Sequence, residues 1–293
     1  MASNQTVRTA DEPLDVRFTE AELEAERERI LSFIEEHVNR DEERMSVTRE
    51  LDTAVVGLSG GIDSTLVAYL AVEALGTENV YGVVMPSEVS SDETMSDAER
   101  VADDLGIDYD VVEIGPIVDA ITDALPDHGE TDDRIGRFQR DITAVRTRTL
   151  VEYLNGMEMG GVVVGTSNRS EWLTGHFDKY GDAAVDCQPI LHLYKRQVRQ
   201  LSAHVGVPDR IVERKASPEI GAAGTDEENL GASYDTIDSV LALTIDGPVS
   251  PGRTAELVGI EEETVESIIT LYEQSEIERR FAPALDAPVD RVR

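Results

Sequence analysis

The sequence predicts an α/β fold: a doubly wound parallel sheet flanked by helices and closed as a single domain. Three observations carry this expectation. From residue 53 onward, short β-branched runs alternate with segments of helical length. Those segments end at Gly or Pro, the residues that stop helices. A chain of 293 residues accommodates one large α/β domain and leaves no room for a second catalytic one.

The elements follow in order. Residues 1–18 are polar and charged and read as a flexible tail. Thr19 with Glu22 makes a capping-box signal, and Leu23, Ile30, Phe33, Ile34 and Val38 fall on one helical face, so an amphipathic helix is expected over 19–39. Thr53–Leu58, Val80–Met85, Tyr109–Ile114 and Val162–Gly165 read as strands. Helices are expected at Ser64–Leu75 before Gly76, at Asp92–Leu105 before Gly106, and at Ile117–Leu125 before Pro126. Gly175–Pro189 is Gly- and Asp-rich without a period, hence a long loop, and such length suggests function. Helices resume at Tyr194–Val205, Tyr234–Leu243 and Glu261–Glu276, and 281–293 reads as a tail beyond a domain spanning 19–280. In a parallel sheet covered on both faces, ligands bind beyond the carboxyl ends of the strands, so the loops after Leu58, Met85 and Gly165 matter most.

Composition excludes several function classes. Sixty acidic residues against 26 basic ones give a net charge of −34, which repels nucleic-acid phosphates and anionic membranes. No apolar run approaches the length of a bilayer span, and the N-terminus lacks signal-peptide regions, so a soluble intracellular, cytoplasmic protein is expected. Only three of the basic residues are Lys, at 179, 195 and 215. Acid excess with scarce Lys suits a salt-saturated cytoplasm, where the Debye length falls to roughly 3 Å or less; an acidic protein of an ordinary cell is the alternative. The single Cys187 cannot form an intrachain disulfide or a multi-cysteine zinc site and reads as a small buried hydrophobe.

The chemistry concentrates in two places. The first is Gly57-Leu58-Ser59-Gly60-Gly61-Ile62-Asp63-Ser64, where a strand turns into a helix. Two glycines let the backbone approach an anion, successive N–H groups face one concavity, and the helix N-terminus adds positive potential. Ser59 and Ser64 add hydroxyls, while the anionic Asp63 makes sense beside phosphate only with a divalent cation between them. A plain Gly-rich turn is the alternative. No Walker A motif and no G-x-G-x-x-G after a strand occur. The second place is Gly165-Thr166-Ser167-Asn168-Arg169-Ser170-Glu171, followed by Lys179-Tyr180-Gly181-Asp182, Asp186, Pro189-Ile190 and Leu193-Tyr194-Lys195. All three lysines fall within one 37-residue window, Lys179 and Lys195 inside these blocks and Lys215 two residues before Ser217. A compact ammonium suits a point contact on a phosphate or carbonyl oxygen.

The hexapeptide S-G-G-I-D-S resembles the pyrophosphate loop of the ATP pyrophosphatase families. With the G-T-S-N-x-S-E, K-Y-G-D, P-I and L-Y-K blocks in this order, and Thr225-Asp226-Glu227-Glu228 to Tyr234-Asp235 beyond them, residues 50–280 resemble NAD synthetase. The resemblance implies a Rossmann-like sheet of the ATP pyrophosphatase type and a two-step reaction. ATP adenylates the nicotinate carboxylate of deamido-NAD, releasing pyrophosphate, and ammonia displaces AMP. It further implies that Gly57 to Ser64, Thr166, Lys195 and Ser217 bind ATP and that Asp63 and Glu171 hold Mg²⁺. Arg146, Lys179 and Asp186 would bind deamido-NAD, Asp63 and Lys195 would act in catalysis, and Asp182 would help ammonium lose a proton. Glutamine-using relatives carry an extra N-terminal domain with Glu, Lys and Cys, whereas no Cys or Lys precedes the ATP loop here, so direct use of ammonia is expected.

The resemblance also implies a homodimer with the dinucleotide site near its interface, to which the 19–39 helix could add. A sister ligase activating another acid and a nucleotide-sensing domain are the alternatives. Three positions depart from the family pattern: Ile142 replaces an Asn, Ala216-Ser217-Pro218-Glu219 replaces a Pro-Thr/Ser-Ala-Asp stretch, and Glu276-Ile277-Glu278-Arg279 replaces E-H-K-R. Arg279 or Arg280 is the expected stand-in for the missing His-Lys pair. Substituting Ala for Lys195 or Asn for Asp63 is expected to abolish turnover and leave the melting curve nearly unchanged.

Overall fold

Strand β1 (Thr53–Leu58) lies inside a four-stranded, all-parallel sheet of order β3-β2-β1-β4, with β2 at Val80–Val84, β3 at Asp108–Val111 and β4 at Gly161–Val163. The computed structural model describes residues 16–39, 52–86, 92–126, 133–214 and 225–280. Strand alternation sorts the β1 side chains between two faces. Ala54, Val56 and Leu58 pack on α1 (Glu20–Val38), α2 (Ile62–Leu75) and α3 (Asp92–Leu105) through one continuous core. Val55 points the other way and joins Val83, Met85, Ile114 and Val151 beneath α4 (Gly115–Ala124) and α5 (Asp133–Met159). Both faces are covered, which is why these strands read as nearly unbroken apolar runs.

The chain runs outward from β1 through β2 to β3, then returns to place β4 on the other flank of β1. Strand order therefore reverses between β1 and β4, and the crevice beyond their carboxyl ends is the ligand position that such topology creates. Register places Thr53 opposite Gly161 and Val55 opposite Val163, so the two exits lie side by side. A side chain on Gly161 would collide with Val55 at 2.6 Å, so this close strand contact requires glycine.

After β4 come the short α6 (Arg169–Thr174), then α7 (Lys195–His204), α8 (Asp209–Val212), α9 (Asp226–Leu230), α10 (Tyr234–Leu241), α11 (Pro251–Val258) and α12 (Glu262–Gln274). Helix α10 continues into a π-helical turn at Ala242–Asp246. A second apolar cluster, with Leu173, Ile237, Leu241, Val265 and Ile268, joins α6 to α10 and α12.

The expected elements are present, with shifted ends. Strand β3 is shorter than Tyr109–Ile114 because it is an edge strand that pairs only with β2. The predicted capping box of α1 is formed, with Glu22 N–H on Thr19 Oγ1 (3.3 Å) and Thr19 N–H on Glu22 Oε2 (2.8 Å). Helix α1 buries Ile30, Ile34 and Val38 in the main core, so its apolar face is committed inward. Residues expected to belong to the N-terminal tail are anchored: Gln197 Nε2 donates to Val16 O (2.7 Å) and Phe18 N–H to Gln200 Oε1 (2.9 Å). The tail at 281–293 lies outside the described residues. Cys187 is buried beside β4, where Gly165 N–H donates to its carbonyl (2.8 Å).

Candidate active site

The site is built where the loops leaving β1 and β4 meet. The first loop turns at Gly60, whose φ of +75° is open to glycine without penalty, and Gly61 opens α2. Within it, Ser59 N–H donates to Ser64 Oγ (3.3 Å), Ser64 Oγ to Gly61 O (3.3 Å), and Gly61 N–H to Ser59 Oγ (3.2 Å). Gly57 and Leu58 end the strand beneath, and Ile62 and Asp63 form the first turn of α2. Glycine backbone, hydroxyls and a helix N-terminus thus meet in one turn, an arrangement suited to binding anions.

The second loop presents a helix capped by Asn168. Glu171 N–H donates to Asn168 Oδ1 (3.0 Å) and Asn168 N–H to Glu171 Oε2 (3.3 Å), a capping box that fixes both side chains. Asn168, fully buried, then reaches across to Asp63, its Nδ2 donating to Oδ1 (2.9 Å). Lys195, first residue of α7, completes the junction: its Nζ donates to Asp63 Oδ2 (2.5 Å) and to Glu171 Oε1 (2.9 Å). Three chain segments far apart in sequence therefore meet on one ammonium whose side chain is only 2% exposed.

Electrostatics follow from that geometry. Burial favours losing the Lys195 proton, but Asp63 and Glu171 together outweigh it and hold the ammonium above its usual value. Burial pushes the Glu171 carboxyl up and Asp63 adds to this, against the pull of Lys195. The ammonium also faces the ring of Tyr234 at 5.3 Å from its centroid. Two carboxylates around one cation are hard oxygen donors suited to a divalent metal. Thr166 is half-buried just past β4, and beside it Ser167 Oγ is buried without a hydrogen-bond partner among the described residues. Ser217 lies outside the described residues.

The residues assigned to the dinucleotide group differently. Arg146 on α5 makes a two-pronged pair with Asp178, Nε to Oδ1 and Nη2 to Oδ2, both 3.0 Å. Lys179 Nζ donates to Ile277 O (3.0 Å). The exposed ring of Tyr180 lies near both cations, 5.5 Å from Arg146 and 5.8 Å from Lys179. Asp186 accepts from Val163 N–H (3.0 Å) at the end of β4. Asp182 is exposed and accepts from Asp178 N–H (2.7 Å), closing the 178–182 turn. Of the two arginines expected to replace the His-Lys pair, Arg279 is committed elsewhere: it donates to Tyr272 O (2.6 Å) and Leu173 O (3.1 Å) at the end of α12. Arg280 pairs with Glu276.

Sequence reading placed Asn168 in a motif block but gave it no role, although Asn three residues before Glu is a capping-box signal that could have found one. It passed over Asp238, fully buried on α10. That carboxylate accepts from Ser170 Oγ (2.5 Å) and Arg196 N–H (2.9 Å), while Lys195 N–H donates to Ser170 Oγ (2.9 Å). An acid in an apolar helical stretch carries no local mark of such a role.

Two outcomes are expected. The expectation of an unchanged melting curve is revised for Lys195→Ala, because a buried cation with two acid partners is structural as well as chemical. Removing it strands both carboxylates and costs about 3 kcal/mol or more, read as a Tm several degrees lower in calorimetry. Burial pushes the Asp238 carboxyl up to about 6 from 3.8, against the Ser170 and Arg196 donors. A raised folded-state value means that its contribution to stability is present at low pH and lost as pH rises through about 6. Asp238→Asn is therefore more costly at about pH 4.5 than at about pH 7, measured as ΔTm against the parent chain.

Comparison with known proteins agrees with this architecture. The family model described as NAD synthase matches residues 28–282. The chain is 46% identical over 272 residues to the NH(3)-dependent NAD(+) synthetase of Halobacterium salinarum, covering 93% of this chain and 97% of that one. It is 40% identical over 254 residues to the NH(3)-dependent NAD(+) synthetase of Pyrococcus horikoshii, covering 87% and 91%. Among solved structures, the NH3-dependent NAD synthetase from Campylobacter jejuni superposes with a TM-score of 0.70 at 26% identity, covering 90% of this chain and 99% of that one. With the two-loop junction at the sheet's reversal point and a family match across most of its length, the chain belongs to the NAD synthase family.

Proposed function

We propose that this chain amidates the nicotinate carboxyl of deamido-NAD with ammonia and ATP, releasing AMP and pyrophosphate. The observation that carries this reading is the convergence of the Ser59–Ser64 turn, Asn168, Glu171 and Lys195 at the β1/β4 crevice. In the first step a carboxylate oxygen attacks the α-phosphorus and pyrophosphate leaves. In the second, ammonia attacks the acyl carbon, AMP departs with the former carboxylate oxygen, and a proton leaves the nitrogen. The barrier in the first step is set by charge on the phosphoryl oxygens, so positioning and electrostatic stabilisation do the work.

The residues divide these tasks. Amides and hydroxyls from Ser59 to Ser64 receive the leaving pyrophosphate, with Thr166 and Ser217 on the nucleotide. Lys195 stays charged and supplies positive potential beside the phosphates. Asp63 and Glu171 would hold Mg²⁺, which when bound neutralises phosphate charge. Arg146, Lys179 and Asp186 would orient deamido-NAD, and Asp182 would take the ammonium proton. Ammonia as the nitrogen source is supported by relatives named for it. No described helix is long and apolar enough to cross a membrane, and a cytoplasmic setting accords with a lone buried thiol.

A homodimer is part of the same reading. Leu150, Leu154 and Met157 fall at i, i+4 and i+7 on α5 and are exposed, Leu154 by 56% and Met157 by 77%. Arg146 lies one turn before Leu150 on this face, which would bring the dinucleotide residues to the interface.

Two measurements test the proposal. Mixed with ATP, Mg²⁺, deamido-NAD and ammonium in strong KCl, the protein is expected to yield NAD, AMP and pyrophosphate; ADP, or no turnover, removes the reading. By light scattering in the same salt the chain is expected at twice its 32.1 kDa, and Leu154→Arg at the single mass. A monomeric parent chain would refute the dimer.

A further inference from the structure

The anion-binding turn is a Gly-Gly peptide, which is intrinsically prone to flip. Glycine on each side tolerates either sign of φ, so the 60–61 peptide plane could rotate and aim its carbonyl into the concavity. A carbonyl dipole there would repel the phosphate that the turn is read as holding. The structure supplies a restraint from outside the turn. Arg214, just past α8, donates through Nη1 to Gly60 O (3.2 Å). Its Nη2 donates to Asp97, a carboxylate on α3 that is only 1% exposed. Arg210 Nε pairs with the same acid at 2.9 Å, and Arg100 Nη1 lies at 3.5 Å. Burial favours the neutral form of Asp97, but the Arg214 and Arg210 guanidinium groups outweigh it and hold the carboxyl below its usual range, so it remains an anionic anchor.

From this we infer that Arg214, held by Asp97, is a positioning residue that sets the orientation of the phosphate turn. A trans peptide is planar, with its C=O and N–H pointing in opposite directions, and the described chain has no cis bonds. Holding the Gly60 carbonyl on Arg214 therefore keeps the Gly61 N–H pointing the opposite way, onto Ser59 Oγ (3.2 Å). The guanidinium is needed for its shape: a planar fork bridges a carbonyl and a carboxylate at once, which an ammonium does with poor geometry. The arginine-for-lysine bias of the chain reaches functional significance at this position. The inference rests on reading the β1–α2 turn as the pyrophosphate site.

The test uses Arg214→Lys and Arg214→Met in the full chain. Both pyrophosphate binding, by calorimetry in competition with ATP, and KM for ATP are expected to weaken about tenfold in Arg214→Met. KM for deamido-NAD and ammonium should stay within about twofold, and Arg214→Lys should recover thermal stability but not pyrophosphate affinity. Asp97→Asn, if it folds, should match Arg214→Met, and the double variant should be no worse than either single one. Unchanged pyrophosphate affinity in Arg214→Met overturns the inference, as does a uniform loss in all three KM values that follows Tm. If the parent chain itself fails to bind pyrophosphate in competition with ATP, the reading of the turn fails instead, which separates the two.

Discussion

The Lys195 ammonium, shared between Asp63 and Glu171, organises the chemistry of this molecule. A buried cation is tolerable only where acids meet it, and each of these acids arrives on a different loop. Asp63 comes from the exit of β1, Glu171 from the exit of β4, and the lysine from the start of α7. Because β1 and β4 are neighbours, the two exits are close enough for one ammonium and one amide, that of Asn168, to bridge them. The strand order therefore comes before the site: any other order would have parted these carboxylates.

Around this junction the polar groups are layered. Asp238 and Ser170 hold the backbone at the start of α7, and so place Lys195. Asn168 uses its oxygen as a helix cap and its nitrogen as a bridge to Asp63. Beside the β1–α2 turn, Arg214, paired with Asp97, donates to a backbone carbonyl. Each of these supports is buried or half-buried, which strengthens its electrostatic effect and raises the cost of losing it. At Lys195 the proposed chemical role and the stability of the fold rest on the same two ion pairs.

The long helix α5 illustrates why part of the fold escaped a reading by periodicity. Thr147 and Thr149 are buried while Leu150, Leu154 and Met157 are exposed, so the apolar pattern does not mark the face that packs on the sheet. By contrast α2 and α3 carried clear Gly stops, and their ends were found to within two residues or exactly at the expected bounds.

What the sequence determined alone is local: strands as β-branched runs, the cap at Thr19, the helix stops at Gly76 and Gly106, the glycine turn after β1, and motif blocks whose order pointed to a family. These features are encoded in residues a few positions apart, where sterics and hydrogen bonding act directly. Tertiary structure decided the rest. It chose which oxygen of Asp63 faces Asn168 and which faces Lys195, committed Arg279 to the end of α12 rather than to an open site, and drew Arg214 to a carbonyl 154 positions away. Such pairings cannot be read from spacing, because they are made by the strand order that brings distant loops to one crevice and by burial that makes each unpaired polar group too costly to leave.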